Sequence, residues 1–101
     1  MTREILFRGK QIDNEKVTPK IIGDVMGERK RQDEKWGEQN HNAFVWACII
    51  GEEYGEMCKA INEFSFNPTP KTEQDIYNET IQTMASCMAM LECIERSRTS
   101  K

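Results

Sequence analysis

Two stretches of this chain, residues 42–64 and 72–96, repeat apolar side chains at every third or fourth position. Between them lies SFNPTP, residues 65–70, whose two prolines no helix interior accommodates. The pattern predicts two long antiparallel helices joined by a short turn. In the first, Asn42 is a suitable N-cap, and Trp46, Ile49, Ile50, Met57, Ala60, Ile61 and Phe64 make the apolar row. In the second, Thr72 precedes Glu73, Gln74 and Asp75, an acidic first turn that complements the helix dipole. Its row runs Tyr77, Ile81, Met84, Met88 and Leu91, flanked by Ile76, Met90 and Ile94.

Upstream, Thr18 followed by Pro19 predicts the start of another helix, and Gly37 suits its end, so a helix is expected from Pro19 to Trp36. Ile21, Ile22, Val25 and Met26 supply its apolar face. The following GERKRQDEK is nearly all polar and should face solvent or a ligand. Residues 3–8, REILFR, read as a short strand or ordered arm. The expected division is an arm over 1–17, a helical domain over 18–97 and a frayed tail over 98–101. The fold class is all-α: an antiparallel helical hairpin plus an N-terminal helix. With 101 residues, one copy buries little surface, so a four-helix bundle completed as a homodimer or homotetramer is expected.

Charged residues make up 31% of the chain and apolar ones 38%, the balance of a folded protein in water. No apolar run approaches a membrane span, and the first residues lack the apolar core of a secretory signal, so no membrane partner and a cytoplasmic location are expected. The net charge is −3, and Arg29 to Arg31 is the longest basic run, which argues against a nucleic-acid polymer as partner. Cys48, Cys58, Cys87 and Cys93 lack C-x-x-C spacing and nearby histidines, and read as buried, reduced thiols.

The chemistry lies in carboxylates at unexpected positions. Glu53 falls inside the apolar row Trp46, Ile50, Met57, Ala60, and Glu56 follows three residues later on the same side. Adjacent, partly buried carboxylates repel and are costly to keep ionised, which a divalent cation resolves. Glu79 and Gln82 repeat the spacing on the next helix, at the head of a row of small residues, Ser86, Ala89 and Cys93. Helix bundles hold metals between such pairs, and oxygen-only ligands favour Mg2+, with Mn2+ an alternative, over zinc. Glu-x-x-Glu is also common on solvated helix faces.

Residues 52–63, EEYGEMCKAINE, resemble the E-E-x-x-E element of MazG-like all-alpha NTP pyrophosphatases, and residues 31–41, RQDEKWGEQNH, resemble a phage and bacterial subgroup of that family. The resemblance spans roughly residues 28–96. It implies magnesium held by Glu53 and Glu56 together with an E-x-x-D pair, here Glu79 and Gln82. It further implies cleavage of a nucleoside triphosphate to the monophosphate and pyrophosphate. Gln82 departs from the pattern, since an amide oxygen coordinates without adding charge, so one strong and one weak metal site are expected. Residues 3–14, REILFRGKQIDN, separately resemble the opening of the phage YopX family.

The supporting residues each carry two readings. Glu52 either orients a ligand or accepts a proton from water, or is simply exposed or salt-bridged. Lys59 meets a phosphate or pairs with Glu63 on the helix surface. Trp36 stacks on a base or anchors its loop. Asp33, Lys30 and Gln39 are polar neighbours of the same expected site. His41 suits a loop or cap, and Trp46 belongs to packing. Two rival functions remain: a helical interaction module that has lost catalysis through Gln82, and a di-iron carboxylate protein, which normally carries the Glu-x-x-His motifs missing here.

Overall fold

A computed structural model describes Phe7 and residues 13–99. Three helices account for nearly all of them: α1 (Asn14–Trp36), α2 (Ala43–Phe66) and α3 (Pro70–Thr99), with no strand among the described residues. The expected strand at residues 3–8 and the YopX-like segment lie outside the described residues, apart from Phe7.

Local chemistry sets the helix ends. Asp13, not Thr18, caps α1: the backbone N–H of Glu15 donates to its side chain at 3.0 Å. The helix therefore starts at Asn14, inside the segment expected to be an arm, and Pro19 sits within its early turns, where the missing N–H forfeits only one ladder bond. Gly37 closes α1 as expected, at φ 71°, with its N–H donating to the Asp33 carbonyl. Asn42 caps α2, accepting from the Val45 N–H at 3.0 Å. For α3 the start lies earlier than Thr72. Thr69 and Thr72 exchange bonds, each backbone N–H donating to the other's hydroxyl at 2.9 and 3.1 Å, and Pro70 takes the first helical position. The helix continues to Thr99, through part of the expected tail.

Both α1 and α2 pack along α3 and not against one another. The short turn between α2 and α3 is closed by Ala60, Phe64 and Ile76, so these helices are antiparallel. At the far end Arg96 donates to the Gln39 carbonyl at 2.9 Å and fastens the α1–α2 loop to α3. Along α1, Val25 packs on Ile81 and Ala85, while Arg29 reaches Glu92 further along, so α1 runs in the direction of α3.

The buried face of α3 matches the expected row in part: Ile81 is buried and Tyr77 and Met88 pack against the core. Met84 and Leu91 are exposed, while Ile76, Ile81, Ala85, Ser86 and Ala89 are buried. Small side chains at this seam let helix backbones approach closely, which the bulky row would prevent. On α2, Ile61, Tyr54 and Phe44 are exposed, the last at 84%. The cysteines are free, yet Cys48 and Cys58 are exposed and Cys87 and Cys93 only half-buried, correcting the expectation of buried thiols. Among the described residues no helix is long and apolar enough to cross a membrane.

Candidate functional site

Because α1 and α2 flank α3 without a close approach of their backbones, a cleft remains between them. Its cavity of about 250 Å3 is lined by Glu28, Gln32 and Trp36 of α1 and Gln39 of the loop; by Trp46, Ile49, Glu52 and Glu53 of α2; and by Gln82, Ser86 and Ala89 of α3. The α1 wall residues stand four apart and form one helical stripe. A polar network holds that stripe in place. Arg29, only 8% exposed, donates through Nε to Glu92 at 3.1 Å and through its other nitrogens to Gln32 at 3.0 Å and Asp33 at 2.9 Å. The Gln32 amide in turn donates to the Ser86 hydroxyl at 3.4 Å.

Acidic groups gather at the cleft. Burial first, then the charges on Glu79, Glu28, Glu56 and Glu52, push the Glu53 carboxyl above its ordinary value. Glu79 is raised by the same causes: burial first, then Glu56 and Asp75. Glu53 and Glu79 are half-buried, Glu52 and Glu56 exposed. Among the described residues no lysine or arginine forms an ion pair with Glu52, Glu53, Glu56 or Glu79. Of the neighbouring acids, Glu28 is compensated by Arg31 at 2.7 Å and Asp75 by Lys71 at 3.1 Å.

The donor set is chemically suited to a hard divalent cation: carboxylate and amide oxygens, with no thiol or imidazole on the cavity wall. Charge neutralisation is also what these carboxylates lack. No three acidic, histidine or cysteine side chains among the described residues are drawn close enough to hold a metal ion as they stand. Like-charge repulsion is reason enough for such side chains to stay apart.

Of the expected site residues, Glu52, Glu53, Gln82 and Trp36 line the cleft, and Glu56 and Glu79 sit within its electrostatic field. Trp36 is 58% exposed, with the Lys35 ammonium 4.6 Å from its ring centre. Asp33 is instead committed to Arg29 and lines a different cavity, beside Glu92 and Arg96. Lys30 and Lys59 are exposed and line none of the described cavities, and the Lys59–Glu63 pair does not form among the described residues. Sequence reasoning missed Glu28 and Gln32. Their spacing to Trp36, four residues each, was a signal, obscured by the charged residues interleaved with them.

Trp46 is buried at 3% exposure, as packing requires, with the His41 ring edge-on at 5.1 Å. Its indole N–H has no acceptor among the described residues. Leaving a buried donor unpaired costs about 1–3 kcal/mol.

A more open groove of about 560 Å3 adjoins the cleft between α1 and α3, sharing Glu28 and Gln82. Gly23 and Gly27 line its α1 side, and a Cβ built at Gly23 would meet nothing within 4 Å. At its far end Tyr77 donates its hydroxyl to Asp24 at 2.5 Å, and Lys20 pairs with the same carboxylate at 3.0 Å. No family model, curated protein or solved structure matches this chain.

Proposed function

We propose that the chain is a magnesium-dependent nucleoside triphosphate pyrophosphohydrolase, cleaving an NTP or dNTP to the monophosphate and pyrophosphate. The observation that carries this reading is the uncompensated repulsion around Glu53 and Glu79, placed beside a cleft lined by both tryptophans of the chain. Glu53, Glu56, Glu79 and Gln82 would hold the Mg2+, for which Mn2+ can substitute, with Glu28 close enough in charge to assist. When bound, the ion supplies neutralisation of phosphate charge and a more acidic water.

The chain's own groups do the rest. Trp36 presents a half-exposed ring on which a base can stack. Glu52, on the wall and uncommitted to any ion pair among the described residues, would accept a proton from water. The groove beyond Glu28 and Gln82 offers room for the polyphosphate. Pyrophosphate release from a panel of ribo- and deoxynucleoside triphosphates, with Mg2+, Mn2+ or chelator, tests the reading. Silence across the panel from a folded protein favours the helical interaction module instead, a reading supported by the exposed Phe44 and Phe66 of α2.

Gln82→Asp restores the charge missing from the second pair. The magnesium concentration for half-maximal release should fall roughly tenfold, about the 1.4 kcal/mol separating charged from neutral partners. An unchanged magnesium dependence would remove Gln82 from the ligand set.

The same reading includes self-association. Among the described residues no large side chain is fully sealed from solvent, and Phe44, Tyr54, Phe66 and Leu91 are more than half exposed. Sedimentation at micromolar concentration should give two or four times the chain mass of 11.8 kDa. A monomer would refute the bundle-by-association part of the proposal.

A further inference from the structure

We infer that Arg96 is a positioning residue for the cleft: it holds the α1–α2 loop, residues 37–42, against α3 so that Gln39 walls off that end. This rests on the reading of the cleft as a nucleotide site. Gln39 and Ala89 line both the cleft and the neighbouring cavity of about 620 Å3 that contains Arg96, so they stand at the boundary between the two spaces. Ala89 is fixed within α3, whereas Gln39, half-buried, stands wherever the loop stands. At this end the cavity is lined by Trp36 and Trp46, and Glu28 and Glu53 lie about two helical turns away on α1 and α2. A nucleotide whose phosphates meet the carboxylates extends toward this end, and Gln39 limits how far it slides away from them.

The position of the loop is set from α3. The backbone bonds of the loop lie at its ends, from Gly37 to Asp33 and from Trp46 to Asn42. Between those ends α3 supplies the partners. Arg96 donates to the Gln39 carbonyl at 2.9 Å and to the Asn40 side-chain oxygen at 3.0 and 3.1 Å, and its Nε lies 3.4 Å from the Glu38 carboxylate. The Cys93 thiol reaches the His41 carbonyl at 3.8 Å, a far weaker hold. The Gln39 amide oxygen is joined to His41 at 2.9 Å, and the His41 ring meets Trp46 edge-on, so a shift of the loop displaces Gln39 and is felt at Trp46. Arg96 and Glu38 are 36% and 62% exposed at their side chains, so breaking their bonds costs the fold little. What is lost is the geometry of the wall.

The test compares Arg96→Gln, Arg96→Lys, Gln39→Ala and the double variant Arg96→Gln/Gln39→Ala, each with its helical signal intact. Without nucleotide, Arg96→Gln should displace the 15N-indole resonance of Trp46, assigned with Trp36→Phe. Arg96→Lys, which keeps a charged donor but not the planar fork, should displace it less. In pyrophosphate release from ATP, GTP, CTP, UTP and their deoxy forms with Mg2+, Arg96→Gln should raise KM roughly tenfold with kcat kept within about twofold, because the wall touches the substrate away from the reacting phosphates. Gln39→Ala should raise KM by a similar factor, and the double variant by no more than either alone, since both remove one wall. An unmoved Trp46 signal, a fall in kcat at constant KM, or additive effects in the double variant would overturn the inference while the hydrolase reading stands. If the unsubstituted protein hydrolyses no nucleotide, both fall together.

Discussion

Glu53→Gln should lower metal-dependent pyrophosphate release at least roughly 100-fold and, in chelator at pH 7, raise the thermal midpoint of the protein. Both effects come from one cause. The Glu53 carboxyl is held above its ordinary value by burial and by Glu79, Glu28, Glu56 and Glu52, so its ionised form opposes folding. Removing that charge removes the repulsion together with the ligand. Glu53 keeps some contact with water, so the gain is modest: about 2–4 °C, corresponding to roughly half a kcal/mol in a domain of this length.

The pH dependence has a definite sign. For Glu53 and Glu79 the folded values lie above the unfolded ones. Their contribution to stability is fully present below the unfolded carboxylate value of about 4.3 and is lost as pH rises through the folded values. Thermal melts in chelator should show this loss in the unsubstituted protein and a shallower one in Glu53→Gln. At pH 7, Mg2+ should raise the midpoint of the former and leave the variant nearly unaffected. A variant that retains full turnover, or that melts lower in chelator, would remove Glu53 from the role assigned to it.

The largest structural effect is expected at Arg29→Ala, with a loss of about 3 kcal/mol. That is the low end for breaking a buried ion pair, because Glu92 stays 40% exposed at its side chain and is partly solvated. The Arg29 side chain is 9% exposed and joins Glu92, Asp33 and Gln32 at the seam between α1 and α3. Without it, Glu92 loses its partner and Gln32 its donor, so the stripe carrying Glu28 and Trp36 is no longer held to the cleft. Chemical denaturation should show a lower midpoint with the slope unchanged. A loss below about 0.5 kcal/mol, the usual range of surface substitutions, would mean that α1 docks without this network.

Helix α2 and the end of α1 were legible because their determinants are local. Asn42 caps α2 through its own side chain, and Gly37 closes α1 in a conformation that favours glycine. Where capping candidates compete, the local reading went astray. Thr18 with Pro19 is a sound start signal, yet Asp13 already supplies a cap five residues earlier, and Thr72 is half of a reciprocal pair with Thr69. The apolar rows were right in part, with Trp46, Ala60, Phe64 and Ile81 buried as expected. Leu91 and Met84 have the spacing of a core and are exposed, while Ser86 and Ala89 are buried. Periodicity locates a face, but what lies against it depends on which neighbour can approach.

By itself the sequence determined the helices, the turn between α2 and α3, and the three-residue spacing that puts Glu53 with Glu56, and Glu79 with Gln82, on one side of a helix, since each depends on residues a few positions apart. Only the tertiary structure decided that Glu28, Gln32 and Trp36 face the same cleft as Glu53, and that Asp33 turns away to Arg29. It also decided that the Trp46 donor goes unpaired among the described residues. The physical reason is the docking of α1 on α3. Close approach at Val25 and Ala85 and the bonds from Arg29 and Gln32 fix how α1 is rotated about its axis, and no spacing within α1 encodes that rotation.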